Sequence, residues 1–227
     1  MKRALILVEG QTEERFVKDV LAPHLGTLQL YIVPTLLTTK VVKNGKNFKG
    51  GVTSFEKFES DLRRLLGGAG ASGGSALVTT MLDYYRLPDD FPGMAGRSTP
   101  VDPFVRIGHV ERALSTHFKD GRFLPFLALH EFEAWVFSCP HTLPDVMAEP
   151  AKQPQFAAIC NGVQTPEQIN ERPGHNPAAR IASLFPTYRK TLHGPTATQR
   201  IGLQLIRDRC PHFNSWLTQL ERSASMS

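Results

Sequence analysis

The sequence predicts an α/β fold in which a mostly parallel sheet is flanked by helices and followed by a helical extension. Two observations predict it: short apolar runs alternate with amphipathic segments over residues 1–139, and strand-like runs are absent after residue 140. Alternating strands and helices build parallel sheets, because each strand needs a crossover to return to the same edge. We therefore predict an α/β domain over residues 1–139 and a helical extension packed on it over residues 140–227.

The first elements are predicted from the spacing of apolar residues. Residues 4–8 form an apolar run of strand length, Gly10 turns the chain, and apolar residues recur at helical spacing over 13–25. Thr12 suits the N-cap of this helix. Residues 28–37 alternate and are rich in β-forming residues, which predicts a second strand, and one apolar face predicts a helix over 55–66.

The middle of the chain continues this alternation. Residues 67–74 are rich in glycine and predict a flexible connection, which lacks the Gly-Lys-Ser/Thr ending of a phosphate loop. We predict a third strand over 76–82, a long irregular loop over 84–103, a helix over 108–118 and a fourth strand over 122–129. After residue 140, helices broken by proline are predicted over 142–149, 151–160, 166–170, 176–186, 197–208 and 212–222.

Acidic side chains follow three of the predicted strands. Glu9 follows the first strand, Asp83 the third, and Glu131 and Glu133 the fourth, while Glu13 lies one helical turn after Glu9. Because the carboxyl ends of parallel strands meet at one edge, we expect these acids to converge there. Side chains two residues apart point in nearly opposite directions, so Glu131, nearer the strand tip, is favoured, while Glu133 could pair with a basic side chain or take a second metal by wrapping round the turn. Glu13 also suits the helix dipole without any function.

Composition and charge narrow the classes of function. The chain of 227 residues has 26 Lys and Arg against 21 Asp and Glu, a net charge of +5 that favours a polyanionic partner without proving one. No signal peptide or apolar run of about twenty residues is evident, so we expect a cytoplasmic protein with no membrane association. The three cysteines are widely spaced, which argues against a disulfide framework or a zinc site.

Basic residues form two groups in the sequence. One lies in a glycine-containing loop over 40–51, and the other lies in the C-terminal third of the chain. Either group alone is explained by a solvated surface, but beside an acidic metal site these charges would offset phosphate repulsion. The residues predicted to contact nucleic acid are Lys40, Lys43, Lys46, Lys49, Arg180, Arg189 and Lys190.

The segments that carry the acids resemble one known family. Residues 7–13 read Leu-Val-Glu-Gly-Gln-Thr-Glu, residues 82–88 read Leu-Asp-Tyr-Tyr-Arg-Leu-Pro, and residues 130–135 read His-Glu-Phe-Glu-Ala-Trp. Together with shorter segments at 48–51, 166–170, 180–181, 201–203 and 210–214, they resemble domain-of-unknown-function family 4276, a Toprim-related bacterial family. The resemblance spans nearly the whole chain and implies a Toprim-like, Rossmannoid sheet.

The resemblance also implies a metal site. Toprim domains in topoisomerases, primases and overcoming-lysogenization-defect nucleases hold Mg²⁺ with a glutamate after the first strand and an Asp-x-Asp after a later one. By resemblance, Glu9 takes the place of that glutamate, Glu13 matches the second acid of the nuclease-type motif, and Asp83 matches the first Asp. Tyr85 stands where the second Asp is expected, so full binding of a second ion needs an oxygen from Glu131 or Glu133.

These residue types predict phosphate chemistry. Carboxylates are hard ligands suited to Mg²⁺ or Mn²⁺, and one or two such ions promote in-line displacement at phosphate. We therefore predict a metal-dependent phosphodiesterase or nuclease acting on DNA or RNA, with Glu9 and Asp83 as catalytic acids. Lys49 and Arg180 are candidates to offset phosphate charge. His130 is interpreted either as a general acid or as a hydrogen-bonding support for the neighbouring glutamate.

Partners and alternatives complete the sequence-based expectations. The resemblance implies a separately encoded ATPase of the SMC or ABC type and a role in antiphage defence, and the chain has no Walker motif of its own. Two other functions stay open: a non-catalytic module that binds nucleic acid or regulates such an ATPase, and a phosphoryl-transfer enzyme acting on small nucleotides. Assembly into a homo-oligomer is left open as well.

Overall fold

In the computed structural model, which describes residues 2–38, 52–71, 76–85, 87–95, 102–169 and 174–225, a parallel sheet forms the centre of the protein. Its five strands are β1 (Lys2–Val8), β2 (Leu30–Leu36), β3 (Ala76–Asp83), β4 (Phe123–Leu124) and β5 (Leu127–Ala128). The strand order is β2-β1-β3-β4, and β5 also pairs with β3. All pairings are parallel, so the predicted α/β fold with a mostly parallel sheet is confirmed.

Helices connect and follow these strands. They are α1 (Gln11–Phe16), a π-helical turn (Val17–Leu21), α2 (Ala22–Thr27), α3 (Phe55–Ala71), α4 (Pro103–Phe118), α5 (Thr142–Val146), α6 (Gln153–Asn161), α7 (Pro177–Leu184), α8 (Lys190–Ile201), α9 (Leu203–Arg209) and α10 (Pro211–Ser225). Short 3₁₀ segments cover Phe132–Ser138, Pro150–Lys152 and Pro166–Gln168. In the described part of the chain, no helix is long and apolar enough to span a bilayer.

The two faces of the sheet bury separate apolar clusters. Successive residues of a strand point to opposite faces, so Ile6 belongs to the cluster beneath α1, α2, α9 and α10, whereas Leu7 belongs to the cluster beneath α3 and α4. Trp216 of α10 stacks on Phe126 with ring centroids 4.3 Å apart, and its indole nitrogen donates to Thr79 Oγ1 at 2.9 Å. The C-terminal helices therefore share a core with the sheet, while the division at residue 139 stays a prediction.

The prediction of a flexible, glycine-rich connection over residues 67–74 is wrong for residues 67–71. Gly67 and Gly68 lie inside α3, which continues to Ala71. The reason is that Leu62, Leu66 and Ala69 are buried at helical spacing, so tertiary packing extends the helix through residues of low helix propensity.

The predicted fourth strand is interrupted between β4 and β5. Pro125 has no backbone N–H to donate to a neighbouring strand. The next residue, Phe126, forms hydrogen bonds with a side chain instead of with the backbone of a strand. Thr80 Oγ1 accepts from the backbone nitrogen of Phe126 at 2.9 Å and donates to its carbonyl at 2.8 Å. The Thr80 hydroxyl thus replaces one step of the ladder.

Three predicted helix boundaries are also wrong, and one of them is the start of α4, which lies at Pro103 and not at residue 108. The first helix begins at Gln11 with Gly10 at its N-cap, and Thr12 is buried within the first turn without capping it. The helix predicted over 197–208 is two helices, α8 and α9, which are separated at Gly202, where φ is 82°. The predicted helix began after Pro195, whereas α8 begins at Lys190 and contains this proline.

Two acids fix the start of α10. The carboxylate of Glu167 accepts from the backbone nitrogens of His212 and Phe213, at 2.9 and 3.0 Å. Glu111 of α4 pairs with His212 Nε2 at 3.0 Å and accepts from Leu127 N at 2.9 Å. Burial alone would lower the pKa of His212, but the hydrogen bond and charge of Glu111 raise it above its ordinary value.

We expect Gly67→Ala to stabilise the protein by about 0.5–1 kcal/mol, because alanine has the higher helix propensity. A Cβ at Gly67 would meet nothing within 4 Å, so no clash offsets this gain. Urea unfolding measures the change in the free energy of unfolding. A clear loss of stability would show that residue 67 is not helical.

The His212 pair predicts a pH-dependent contribution to stability. Because the folded pKa is raised, this contribution is complete below the unfolded value of about 6.5 and is lost as pH rises through the folded pKa. His212→Gln should therefore lower the free energy of unfolding more at about pH 6 than at about pH 9. Glu111→Gln is the matched control and should remove the same pH dependence. Equal losses at both pH values for His212→Gln would contradict this prediction.

Candidate functional site

The acids that follow β1 and β3 meet at the carboxyl edge of the sheet. Val8, the last residue of β1, lies opposite Met81, so Glu9 and Asp83 emerge side by side. Glu9 Oε2 accepts a hydrogen bond from the backbone nitrogen of Asp83 at 2.9 Å. Asp83 Oδ1 in turn accepts from the backbone nitrogen of Phe132 at 2.8 Å, which joins the end of β3 to the 3₁₀ segment after β5.

An ammonium group from α8 lies among these acids. Lys190 Nζ is 3.1 Å from Asp83 Oδ2 and 3.2 Å from Glu133 Oε2. The first turn of α8 is held against α1, where Arg15 Nη1 donates to the Thr191 carbonyl at 3.1 Å. The Lys190 side chain is 41% exposed, whereas those of Asp83 and Glu133 are 9% and 0% exposed. Lys190 therefore lies between the buried acids and solvent.

Glu13 contributes a further carboxylate from the first turn of α1. Its side chain is buried, and its Oε2 would lie only 3.4 Å from a Cβ at Gly10. Gly10 therefore leaves room for this carboxylate beside the turn. The charges of Asp83, Lys190 and Glu133 all act on Glu13, which places it in the same cluster. We call Glu9, Glu13, Asp83 and Glu133 the acid cluster.

Burial dominates the electrostatics of the acid cluster. Burial, followed by repulsion from Asp83, raises the pKa of Glu9 to about 8 and that of Glu13 to about 7. Burial also raises the pKa of Glu133 to about 7, although Lys190 opposes the shift. Burial alone would lower the pKa of Lys190, but attraction by the acids raises it well above its ordinary value. Within the described part of the chain, the Lys190 ammonium thus compensates the charge of these carboxylates only in part.

Glu131 has different partners from Glu133. Its Oε2 accepts from Asn176 Nδ2 at 2.7 Å and from the backbone nitrogen of Ala178 at 3.0 Å, in the first turn of α7. His130 has a positive φ of 67°, and the 3₁₀ segment begins two residues later. This turn makes Glu133, and not the favoured Glu131, the residue that contacts Lys190. Whether either residue binds metal stays a prediction.

Two residues that the sequence analysis missed lie at this part of the site: Tyr188 beside Glu133, and Gly194 beside Tyr188 and Phe132. The Tyr188 hydroxyl is buried beside it, and burial followed by the charge of Glu133 raises the pKa of Tyr188 well above its ordinary value. A Cβ at Gly194 would lie 2.8 Å from Tyr188 Oη and 3.3 Å from Phe132 Cε1. Gly194 thus permits the close approach of α8 to the 3₁₀ segment. The helical spacing of apolar residues did not identify Tyr188 or Gly194, because each contacts residues that are distant in the sequence.

The other predicted site residues have the contacts given below or lie outside the residues that the structure describes. His130 is buried, and its carbonyl accepts from the backbone nitrogen of Tyr85 at 2.7 Å. Arg180 on α7 donates to the His175 carbonyl at 2.7 Å, and Arg189 is exposed at the N-cap of α8. Four of the predicted basic residues, Lys40, Lys43, Lys46 and Lys49, lie outside the described residues.

The donor set of the acid cluster fits a hard divalent cation. Its ligand atoms are carboxylate oxygens, which Mg²⁺ and Mn²⁺ prefer, and Oε1 of the buried Glu133 accepts no hydrogen bond from any described residue. Among the residues that the structure describes, however, no three Asp, Glu, His or Cys side chains are arranged as a metal-binding group. The ammonium of Lys190 instead contacts two of the candidate ligands, Asp83 and Glu133.

Comparisons with known proteins give one match. A family model described as Domain of unknown function (DUF4276) matches residues 8–221. No curated protein and no solved structure matches the chain. The matched region includes the whole acid cluster and Lys190, so all residues of the candidate site lie within the domain that defines the family.

We expect Gly194→Ala to lower the free energy of unfolding by about 1–3 kcal/mol, because the added Cβ overpacks a buried contact. Gly67→Ala makes the same change in α3, where no atom lies within 4 Å of the new Cβ, and serves as the matched control. Urea unfolding of both variants separates the clash from helix propensity. A Gly194→Ala variant as stable as the control would contradict the close packing at Tyr188.

Proposed function

The chain belongs to the DUF4276 family, and we propose that it is a Mg²⁺-dependent phosphodiesterase that cleaves nucleic acid. One observation carries this proposal: acidic side chains from α1, β3, the 3₁₀ segment and the residue after β1 converge beside the Lys190 ammonium. The cluster lies at the carboxyl edge of a parallel sheet, where ligands bind in such folds. Perturbed carboxylates of this kind are typical of functional sites. The Toprim resemblance of the motifs supports the same chemistry.

In this proposal, Glu9, Glu13, Asp83 and Glu133 would hold the metal. When bound, Mg²⁺ would polarise the phosphate and lower the pKa of an attacking water. The chain orients the ligands in advance, because backbone nitrogens already donate to Glu9 Oε2 and Asp83 Oδ1. Burial of Glu13 and Glu133 excludes bulk water from the inner side of the cluster.

The proposed substrate is a polyanion that approaches the exposed side of the cluster. Arg189 is exposed at the N-cap of α8, next to Lys190, where it would meet a phosphate backbone. The net charge of +5 favours the same partner. We further propose that a separate ATPase of the SMC or ABC type controls the reaction in cytoplasmic antiphage defence, and this step depends on the family resemblance.

A non-catalytic module that binds nucleic acid or regulates an ATPase is the second candidate. Lys190 contacts Asp83 and Glu133, and Tyr85 stands where the Toprim motif has its second Asp. In this alternative, the ammonium is a permanent counter-ion and no divalent ion binds.

Glu9→Gln tests the proposed reaction. The variant keeps an oxygen that can accept from Asp83 N, but it loses the charge that would bind metal. We expect cleavage of DNA or RNA with Mg²⁺ or Mn²⁺ to fall about 100-fold or more, since a bound metal supplies several kcal/mol of transition-state stabilisation. Cleavage assays on plasmid and RNA measure the loss, and circular dichroism checks the fold.

Glu14→Gln is the matched control for this experiment. Glu14 lies beside Glu13, but its carboxylate pairs with the exposed Lys18 at 2.6 Å. Its variant should cleave like the wild type. A Glu9→Gln variant with full activity would contradict the proposal, and a wild-type chain that binds nucleic acid without metal-dependent cleavage would favour the non-catalytic module.

A further inference from the structure

The position of Lys190 raises the question of how a divalent ion could enter the acid cluster. We propose that Lys190 is an exchangeable occupant of the site, whose ammonium binds the acids in the metal-free protein and is displaced when a divalent ion binds. This inference rests on the proposed function, because it assigns Lys190 a role toward the same metal.

The acids' hydrogen bonds show why metal binding requires this displacement. Both oxygens of Asp83 are engaged, since Oδ1 accepts from Phe132 N and Oδ2 accepts from Lys190 Nζ. Glu133 Oε2 also contacts Lys190 Nζ, at 3.2 Å. A Mg²⁺ ion needs its ligand oxygens at about 2.0–2.1 Å, so it competes with the ammonium for the same two carboxylates.

Burial identifies the lysine as the group that moves. The Lys190 side chain is 41% exposed and carries its ammonium on a flexible four-carbon stem, so rotation of the stem would move the ammonium toward solvent. Glu13 and Glu133 are only 3% and 0% exposed. The acids therefore stay in place while the lysine leaves.

The charges of the acid cluster favour the exchange, and the exchange frees the Lys190 ammonium for another contact. A divalent ion brings two positive charges to a cluster whose charge, among the described residues, the Lys190 ammonium compensates only in part. The displaced ammonium remains anchored at the first residue of α8, on the solvent side of the acids. It becomes available to a substrate phosphate only after the metal has bound. Metal loading would thus switch Lys190 from binding acids to binding phosphate.

Titration of the full, EDTA-treated chain with Mn²⁺ by calorimetry tests the exchange. We expect Lys190→Met to bind Mn²⁺ at least about tenfold more tightly than the wild type. If the Lys190 ammonium occupies the site nine-tenths of the time, the site is free for about one-tenth of the time, and the apparent affinity for Mn²⁺ is about tenfold weaker. Lys57→Met is the matched control. Lys57 is exposed on α3 and donates to Thr53, so its loss should leave Mn²⁺ affinity unchanged.

Thermal unfolding gives a second readout that does not depend on activity. In EDTA, Lys190→Met should unfold about 6–12 °C below the wild type, because buried acids lose their counter-ion. Saturating Mn²⁺ should raise the melting temperature of this variant more than that of the wild type. If the Met variant does not fold, Lys190→Gln keeps a donor for Asp83 without the charge, and the same tightening of Mn²⁺ binding is expected.

The possible outcomes separate this inference from the proposed function. Tighter Mn²⁺ binding by the Lys190 variant supports the exchange. Equal or weaker binding by the variant, with clear binding by the wild type, overturns the exchange and leaves the metal site standing. Absence of Mn²⁺ binding by both proteins overturns the metal-dependent function and the exchange together.

Discussion

The ion pairs of Lys190 with Asp83 and Glu133 connect the helical part of the chain to the carboxyl edge of the sheet. Buried carboxylates are costly unless a positive charge compensates them, and breaking such a pair costs more than never forming it. The acid cluster therefore constrains where α8 begins and how closely it approaches the 3₁₀ segment after β5. Gly194 meets this constraint, because its missing side chain leaves room for the Tyr188 hydroxyl beside α8.

The site depends equally on the register of the sheet. Parallel pairing of β1 with β3 places Glu9 next to the end of β3, and the backbone nitrogen of Asp83 fixes the Glu9 carboxylate. The acids come from residues before 140, but the cation that compensates them comes from α8. Among the described residues, the cation that contacts these acids thus comes from the helical part, so the candidate site needs residues from both parts of the chain.

The strands and their terminal acids could be predicted because both signals are local. An apolar run identifies a buried strand, and the acid that follows it lies at the carboxyl edge whatever the later chain does. The direction of Glu133 could not be predicted, since it depends on the left-handed backbone at His130. The contact of Lys190 with the acids could not be predicted either, because it joins residues far apart in sequence. The predicted helix began after Pro195, although α8 begins at Lys190. Burial of Ala69 likewise overrode the low helix propensity of nearby glycines.

Under the proposed function, the loss of a motif residue does not imply the loss of a ligand. Tyr85 stands where a second Asp is expected, and its backbone nitrogen donates to the His130 carbonyl, which joins the ends of β3 and β5. That same turn leads into the segment that brings Glu133 to Lys190 and Asp83. A carboxylate from a neighbouring strand end would therefore supply the oxygen that the motif lacks. The chemistry of such a site follows from which carboxylates the fold brings together, and a motif read along one segment records only some of them.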